Sequence, residues 1–366
     1  MPAVPKRRAP RPPNAAPTAT PAAGPRLATT RATLNPVRRP LVTLALCAAA
    51  AAAAAAAAFA VTRSGAEPTA TAQGPRWETL APATLARTEV AAARVGRFVY
   101  VMGGFERESG ASTAATERYD IVRDRWSRVA DMPVALNHAA AAAYRGDVYV
   151  LGGYREATGL AAETAALHRY DPATDRWTEL PAAPTARGAL AVGVIGKRLY
   201  AVGGAAGAQR ALATLEIYDF ARRRWRRGPE LRVAREHLAG AVAGGRFYAL
   251  AGRAAGVGNF DVVEAYDPAR RRWRTLPAMA KPRGGIAAAT VRGRVVVVGG
   301  EEEAGTIREV ERYDPAARRW RRLPDLPTPR HGLGAVARGD RIYVLEGGDE
   351  PGFAFTTTVE ALRLAR

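Results

Sequence analysis

From about residue 77 onward, short apolar runs alternate with turn-forming residues at an even spacing. Between Ala189 and Gly228 these runs are ALAVGV, RLYAVGG, TLEIYD and RWRRG. Evenly spaced short runs rich in β-branched and aromatic residues are typical of an all-β protein. The pattern therefore predicts structural units of four short strands each.

The same unit recurs along the chain. A Tyr-Asp turn precedes a tryptophan in ERYDIVRDRW, HRYDPATDRW, EIYDFARRRW, EAYDPARRRW and ERYDPAARRW, and glycine pairs close runs such as FVYVMGG, DVYVLGG and RLYAVGG. The tryptophans are spaced 47 to 51 residues apart, at Trp77, Trp126, Trp177, Trp225, Trp273 and Trp320. A period of about 50 residues indicates a repeat protein in which one unit forms one blade of sheet.

These motifs resemble the Kelch repeat, and the resemblance implies an all-β, six-bladed Kelch-type β-propeller over residues 77–366. After Gly347 and Gly348 the chain supplies a third strand, TTTVEALRL, with no tryptophan after it. The segment RWETLAP around Trp77 has the pattern of a fourth strand. We therefore expect the strand at Trp77 to complete the sixth blade, because closure removes the exposed sheet edges of the ring.

The repeated residues are expected to be structural. Glycine pairs allow backbone conformations or close approaches that a Cβ would prevent, and tryptophan fills the space between blades. Two blades depart from the glycine pattern, with Ala251 and Glu346 at the first glycine position. We expect a locally altered backbone at these two positions.

The N-terminal region has a different composition. Residues 1–40 contain ten prolines and eight basic residues with no acidic residue, which predicts a disordered tail. Residues 41–62 carry no charge, and a helix of that length would span about 33 Å, enough for a bilayer core of about 30 Å. We expect a transmembrane signal-anchor helix at 41–62, followed by a linker at 63–76.

The charges beside this segment predict its orientation. Arg38 and Arg39 precede it, so the tail is expected in the cytoplasm and the propeller outside, in a single-pass protein of the cell membrane. One alternative is secretion after signal cleavage, since Ala58-Phe59-Ala60 fits a cleavage pattern. Another is an alanine-rich linker with no membrane role.

The net charge of the chain indicates which class of binding partner it favours. The net charge of the chain is +20, from 54 basic and 34 acidic residues. Nine of the basic residues and none of the acidic residues lie in residues 1–66, so the net charge of residues 67–366 is +11. This balance favours an anionic partner. No nucleic acid is expected, because the arginines are spread over every blade rather than forming one stripe.

Arginines also cluster in the turns between third and fourth strands, at Arg222 to Arg224, Arg270 to Arg272 and Arg318 to Arg319. The sequence leaves two interpretations open. They form a solvated edge that discourages aggregation between sheets, or they contact an anionic surface.

A second set of arginines enters the first strand of each blade. In the Kelch propellers that this chain resembles, the first strand of each blade is the innermost one. In Kelch substrate adaptors, arginines at the matching position bind acidic peptides. The loops after the glycine pairs share that face. We therefore predict ligand binding at the channel mouth by Arg87, Asn137, Arg187, Arg235, Arg283 and Arg330, with Phe105, Tyr154 and Arg253. The alternative is that these arginines pair with neighbouring acids.

The resulting functional prediction is a binding or scaffold module for an anionic ligand or a partner protein, with no cofactor and no catalytic residues. The alternative is an exported enzyme resembling sialic-acid mutarotases. Copper chemistry of the galactose-oxidase type is disfavoured, because Cys47 is the only cysteine and precedes the propeller. His138, Glu236 and His331 follow the arginine position and could converge on a metal, but isolated histidines are usually structural, so no metal site is predicted.

Overall fold

The computed structural model describes residues 74–364, and within them the chain forms six four-stranded antiparallel blades. Each of the first five blades is continuous in sequence. Their strands are Ala91–Val95, Phe98–Met102, Thr116–Asp120 and Arg125–Arg128 in blade one; Ala140–Tyr144, Asp147–Leu151, Leu167–Asp171 and Arg176–Leu180 in blade two; Ala191–Ile195, Arg198–Val202, Leu215–Asp219 and Arg224–Arg227 in blade three; Ala239–Ala243, Arg246–Leu250, Val263–Asp267 and Arg272–Leu276 in blade four; Gly284–Val291, Arg294–Glu302, Val310–Asp314 and Arg319–Leu323 in blade five.

The sixth blade joins both ends of the described chain. It contains Gly334–Arg338, Arg341–Leu345 and Val359–Arg363, and its outer strand is Arg76–Thr79. Trp77 is opposite Leu362 in an antiparallel register, so the strand at Trp77 lies where the sequence pattern placed it. The ring is thus closed by hydrogen bonds between its two ends.

Short strand pairs shape the loops after the glycine pairs. They are Arg87–Thr88 with Phe105–Glu106, Ala205–Ala206 with Arg210–Ala211, Arg253–Ala254 with Gly258–Asn259, and Gly305–Thr306 with the end of Arg294–Glu302. The first strands of neighbouring blades contact one another, so they surround the central channel.

The hydrophobic core lies between neighbouring blades. Leu250 and Val263 of blade four, for example, pack in one cluster with Val295 and Val297 of blade five, and all four are fully buried. Successive side chains of a strand point to opposite faces of the sheet, and in the inner strands both sets are apolar, so a blade covers both faces only when it has a neighbour on each side.

The tryptophans link successive blades. In five blades the tryptophan is opposite the repeat tyrosine, with ring centroids 5.0 to 5.2 Å apart. Each of the six indole N–H groups donates to a carbonyl in the segment leaving the preceding blade, at 2.8 to 3.0 Å. These contacts give the tryptophan a structural role between blades.

The first glycine of each pair needs a left-handed backbone next to the neighbouring blade. At Gly203 φ is +64°, and a Cβ would lie 2.6 Å from the carbonyl oxygen of Arg235. Ala251 and Glu346 hold the same conformation, with φ of +47° and +54°. The expectation of an altered backbone at these two positions is therefore wrong, because both residues adopt the same left-handed backbone conformation as the glycines.

Among residues 74–364, no helix reaches the length and apolarity that a membrane span requires. The predicted tail at 1–40, the predicted signal-anchor helix at 41–62 and most of the predicted linker at 63–76 lie outside the described residues.

Candidate functional site

Five arginines that precede the first strands are buried in ion pairs within their own blades. Their side chains are at most 1% exposed, and each contacts a buried glutamate on the third strand at 2.6 to 3.0 Å. The pairs are Arg87 with Glu117, Arg187 with Glu216, Arg235 with Glu264, Arg283 with Glu311, and Arg330 with Glu360.

Backbone carbonyls satisfy further N–H groups of these guanidinium ions. Arg235, for instance, donates to the carbonyl oxygen of Ala249 at 3.1 Å and to that of Val233 at 2.8 Å. Burial lowers the pKa of Arg235, and the hydrogen bond that Arg235 donates to Glu264 opposes this shift. The geometry favours the alternative that the sequence left open, in which these arginines pair with neighbouring acids. Their ligand-binding role stays a prediction that the observed burial argues against.

Blade two shows that the alignment of Asn137 with the arginines is wrong by one residue. Gly104 N–H donates to the Leu136 carbonyl at 2.8 Å, just as Gly153 N–H donates to that of Arg187 at 3.0 Å. Leu136 therefore takes the arginine position, and His168 takes the position of the glutamate partner. Blade two has thus lost both members of the ion pair.

Residues two positions after the arginines form the mouth of the channel. They surround a cavity of about 90 Å³ whose polar lining comes from Glu89, His138 and His237. Blades three, five and six contribute only Ala189, Gly285 and Gly332 at this level. Below it, the channel wall consists of small and apolar residues such as Ala140, Ala191 and Ala239. Among the described residues that line these two parts of the channel, polar side chains therefore occur only at the mouth.

Glu89, His138 and His237 bring three potential ligand atoms within 4.8 Å of one another. His138 Nε2 lies 3.2 Å from Glu89 Oε2, and the two imidazole rings meet edge to face with centroids 4.7 Å apart. Burial lowers the pKa of both histidines, and that of His237 falls well below its ordinary value, with the charge of Arg253 as the next cause. Burial therefore favours the neutral form of both rings.

Second contacts orient the two rings. His138 Nδ1 lies 2.6 Å from Asn137 Oδ1, and His237 Nδ1 contacts Glu236 Oε2. Arg253 contacts Glu236 and Glu301 and donates to His237 Nε2 at 3.1 Å. Glu236 thus lies behind a histidine rather than in the group of three that faces the cavity.

The remaining predicted site residues also surround the mouth. Phe105 and Tyr154 are buried and pack against the His138 ring at centroid distances of 5.9 and 5.7 Å. Arg253 keeps 31% of its side chain exposed. His331 lies beside the group, with Nε2 3.7 Å from Glu89 Oε1 and 3.6 Å from Glu301 Oε2. The structure therefore brings Asn137, Phe105, Tyr154 and Arg253 together around His138.

Sequence reasoning missed Glu89 and His237, although a signal for them exists. In every blade a buried apolar or alanine residue lies four positions before the arginine position. Counting from it would have aligned Leu136 with the arginines, and His138 with His237 and Glu89. The buried residues that lie four positions before the arginine position are Ala83, Met132, Ala183, Leu231, Met279 and Leu326.

The outer surface of blades three to five carries a second feature. Ten exposed arginines there form no ion pair with another described residue, whereas Arg222, Arg270 and Arg322 pair with nearby aspartates. We call these ten residues the arginine edge: Arg223, Arg224, Arg226, Arg227, Arg271, Arg272, Arg274, Arg318, Arg319 and Arg321.

The closed ring of six four-stranded blades defines the chain as a six-bladed Kelch-type β-propeller. It belongs to the Kelch-repeat family: the model of the KLHDC2/KLHL20/DRC7 Kelch-repeats domain matches residues 69–230 and 140–348. A solved structure entitled "Structure of YjhT" is similar in fold, with a TM-score of 0.67 and 17% sequence identity over 76% of this chain and 95% of that one. No curated protein matches the chain.

Proposed function

We propose that this protein is a membrane-anchored binding module whose arginine edge holds an extended anionic polymer outside the cytoplasm. Arginines occur in every blade, but the exposed guanidinium groups that form no ion pair are concentrated on three adjacent blades, and this observation carries the proposal. Guanidinium groups bind carboxylate and phosphate in a bidentate manner and are weakly hydrated for a cation.

The other half of the perimeter differs in charge. In blade one, Arg128 pairs with Asp131 at 2.6 Å, and in blade six, Arg341 pairs with Glu78 at 2.6 Å. In blade two, the outer strand Arg176–Leu180 carries the acidic residue Glu179 as well as Arg176. Single exposed arginines also occur in these blades, at Arg76, Arg125 and Arg176, but unpaired positive charge is concentrated on blades three to five, which gives a partner a preferred face to approach.

The shape of this surface favours a polymer over a small molecule. The arginine edge lies on the fourth, outermost strands and the turns before them, where each blade presents a sheet edge. A cavity of about 150 Å³ beside Arg274 and Arg318 is smaller than the roughly 300 Å³ at which typical small-molecule sites begin. An extended chain of charges can contact three blades at once, and each contact adds a modest amount of binding energy, about 0.2–1 kcal/mol at exposed sites.

An enzyme of the sialic-acid mutarotase type is less well supported. The cavity at the channel mouth measures about 90 Å³, below the roughly 300 Å³ at which typical small-molecule sites begin. The five buried arginines are also engaged with glutamates and so do not present a surface for an acidic sugar.

The membrane part of the proposal rests on the uncharged segment at residues 41–62. A retained anchor would hold the propeller next to the membrane. The full-length protein should then sediment with membranes, resist carbonate extraction and expose its propeller to external protease. A soluble exported form beginning near residue 61 would show cleavage instead.

The binding proposal can be tested with two triple variants of equal charge. Arg226→Glu, Arg274→Glu and Arg321→Glu reverse the residue after the tryptophan in blades three to five. Arg76→Glu, Arg125→Glu and Arg176→Glu reverse the exposed residue before the tryptophan in blades six, one and two. Fluorescence anisotropy with labelled long-chain polyphosphate and with polyglutamate measures the affinity of the full-length chain.

We expect the first triple variant to bind at least about tenfold more weakly and to show a smaller salt dependence, because fewer counterions are released. The second triple variant should stay close to the unaltered chain. Equal losses in both variants would mean that only net charge matters, and the arginine edge would then be rejected as a binding surface.

A further inference from the structure

We propose that Glu89, His138 and His237 form a binding site for one divalent transition-metal ion at the channel mouth, with zinc as the best-suited ion. This site is independent of the arginine edge. Two imidazoles and one carboxylate suit zinc and related ions, because neutral imidazole nitrogen and carboxylate oxygen are their common protein ligands.

The positions of the histidines in the fold support a metal site at the channel mouth. The chain has four histidines in 366 residues, and three of them, His138, His237 and His331, meet at the channel mouth. They come from three different blades, so the closed ring and not a local sequence motif brings them together.

The hydrogen bonds of Asn137 determine which nitrogen of His138 carries a proton. Its Nδ2 donates to Ser112 Oγ at 2.8 Å and faces the Gly159 carbonyl oxygen at 3.2 Å. Its Oδ1 must therefore accept from His138 Nδ1, which leaves the lone pair of Nε2 directed at Glu89 Oε2, 3.2 Å away. Two acceptors at this distance repel unless a proton or a metal ion lies between them.

His237 has the same arrangement. Its Nδ1–H donates to the Glu236 carboxylate, so Nε2 is again the atom that carries the lone pair, and here it accepts from Arg253 at 3.1 Å. A carboxylate or amide behind a histidine is the usual partner of a metal ligand, because it fixes the tautomer and makes the other nitrogen more basic.

The charge at the mouth also calls for a cation. Glu89, Glu236 and Glu301 face the histidines and each is largely buried, while Arg253 is the only cationic side chain that contacts this group among the described residues. Three carboxyl groups thus lie around one guanidinium group, and buried negative charge is costly without a counter-ion. A divalent ion would balance it.

The geometry requires only small movements. In a tetrahedral site with ligands at about 2.0–2.1 Å, donor atoms lie about 3.3–3.4 Å apart. The distance of 3.2 Å between His138 Nε2 and Glu89 Oε2 is already close to this value, and the ligand atom of His237 lies within 4.8 Å of both. His237 must approach by at most about 1.4 Å, the difference between 4.8 and 3.4 Å. Arg253 must also give up its hydrogen bond to His237 Nε2, and its partly exposed side chain can do so while keeping its ion pair with Glu301.

The proposal is tested on the full-length chain after treatment with a chelator. Titration with Co²⁺ should give one equivalent of binding with visible absorption bands, and Zn²⁺ should displace it. Glu89→Gln and His237→Gln should each weaken binding at least tenfold, and Asn137→Ala about 10- to 100-fold through loss of orientation. Arg253→Gln should strengthen binding, because it frees His237 Nε2 and removes a positive charge.

His168→Gln is the matched control, since His168 is a buried histidine outside the group. X-ray absorption at the zinc edge of the unaltered chain gives a measurement that does not depend on variants, and it should show scattering from two imidazoles. The proposal is overturned if no stoichiometric binding is found, if the zinc spectrum lacks imidazole, or if Glu89→Gln and His237→Gln leave the affinity unchanged in folded protein.

Discussion

Glu346 occupies a position where the other blades have glycine or alanine. It adopts a left-handed φ of +54° and is fully buried. Its two carboxylate oxygens each accept from Arg87 at 2.9 Å, and Arg87 also pairs with Glu117 at 2.9 Å. One guanidinium group therefore serves two carboxylates at the junction between blades six and one. Burial raises the pKa of Glu346 to about 7.

This raised pKa predicts a pH-dependent contribution to stability. Between about pH 4.5 and 7 the folded chain holds a proton on Glu346 that the unfolded chain releases, so stability from this group falls as the pH rises through 7. Glu346→Gln removes the titration. Its stability relative to the unaltered chain should rise between pH 5 and pH 8, by at most about 3 kcal/mol.

Urea unfolding at both pH values measures this difference. Glu230→Gln, a substitution of an exposed glutamate, serves as the control and should show no comparable trend. A difference between Glu346→Gln and the unaltered chain that stays constant from pH 5 to pH 8 would show that Glu346 is ionised throughout.

At the scale of the blade, the buried Arg–Glu pair is the recurring polar element inside the sheet. Blade two replaces both members, with Leu136 and His168, and keeps its four strands. Removing one partner of a buried pair leaves an uncompensated charge, whereas replacing both with suitable residues can be nearly neutral. We therefore expect a blade to be more stable with either complete combination than with a mixture of the two.

This reasoning predicts the outcome of a transfer from blade two to blade four. Arg235→Leu alone should cost about 3–5 kcal/mol, because Glu264 remains buried and charged. Adding Glu264→His should recover at least about 1 kcal/mol of this loss. Urea unfolding of the two single variants and the double variant gives the coupling energy, and an additive result would show that the pair is not coupled.

Blade architecture could be predicted from sequence because its signals are local. The Tyr-Asp turn, the tryptophan and the glycine pair each recur in a fixed order, so the strands and their number follow from the repeat. The site could not be predicted in the same way. Glu89, His138 and His237 lie in three blades, and a single residue of misalignment in blade two moved His138 from the position of His237 to that of Glu236.

The burial of the arginines was also beyond the sequence. The glutamate that each arginine contacts lies 28 to 30 residues later, on the third strand of the same blade. The repeat shows that both residues recur, but only the folded blade shows that their side chains meet. The spacing alone is equally compatible with an arginine that faces the channel.

At the scale of the whole molecule, stability depends on closing the ring. The outer strand of blade six comes from residues 76–79 and pairs with residues 360–363. Trp77 donates to the Pro324 carbonyl at 3.0 Å, and Glu78 pairs with Arg341 at 2.6 Å. These contacts join residues about 250 to 290 positions apart, so they form only when all six blades are in place.

Removing this strand should therefore affect the entire propeller. A chain that begins at residue 85 lacks the outer strand of blade six, and an open ring exposes a sheet edge and the apolar faces that blades bury against each other. We expect it to lose a single cooperative unfolding transition, whereas a chain that begins at residue 67 should keep it. Trp77→Ala in the longer chain should have an intermediate effect, since it removes one inter-blade hydrogen bond and leaves the strand. Calorimetry and urea unfolding followed by tryptophan fluorescence measure all three, and equal stability of the chains beginning at 67 and 85 would show that the ring does not depend on its N-terminal strand.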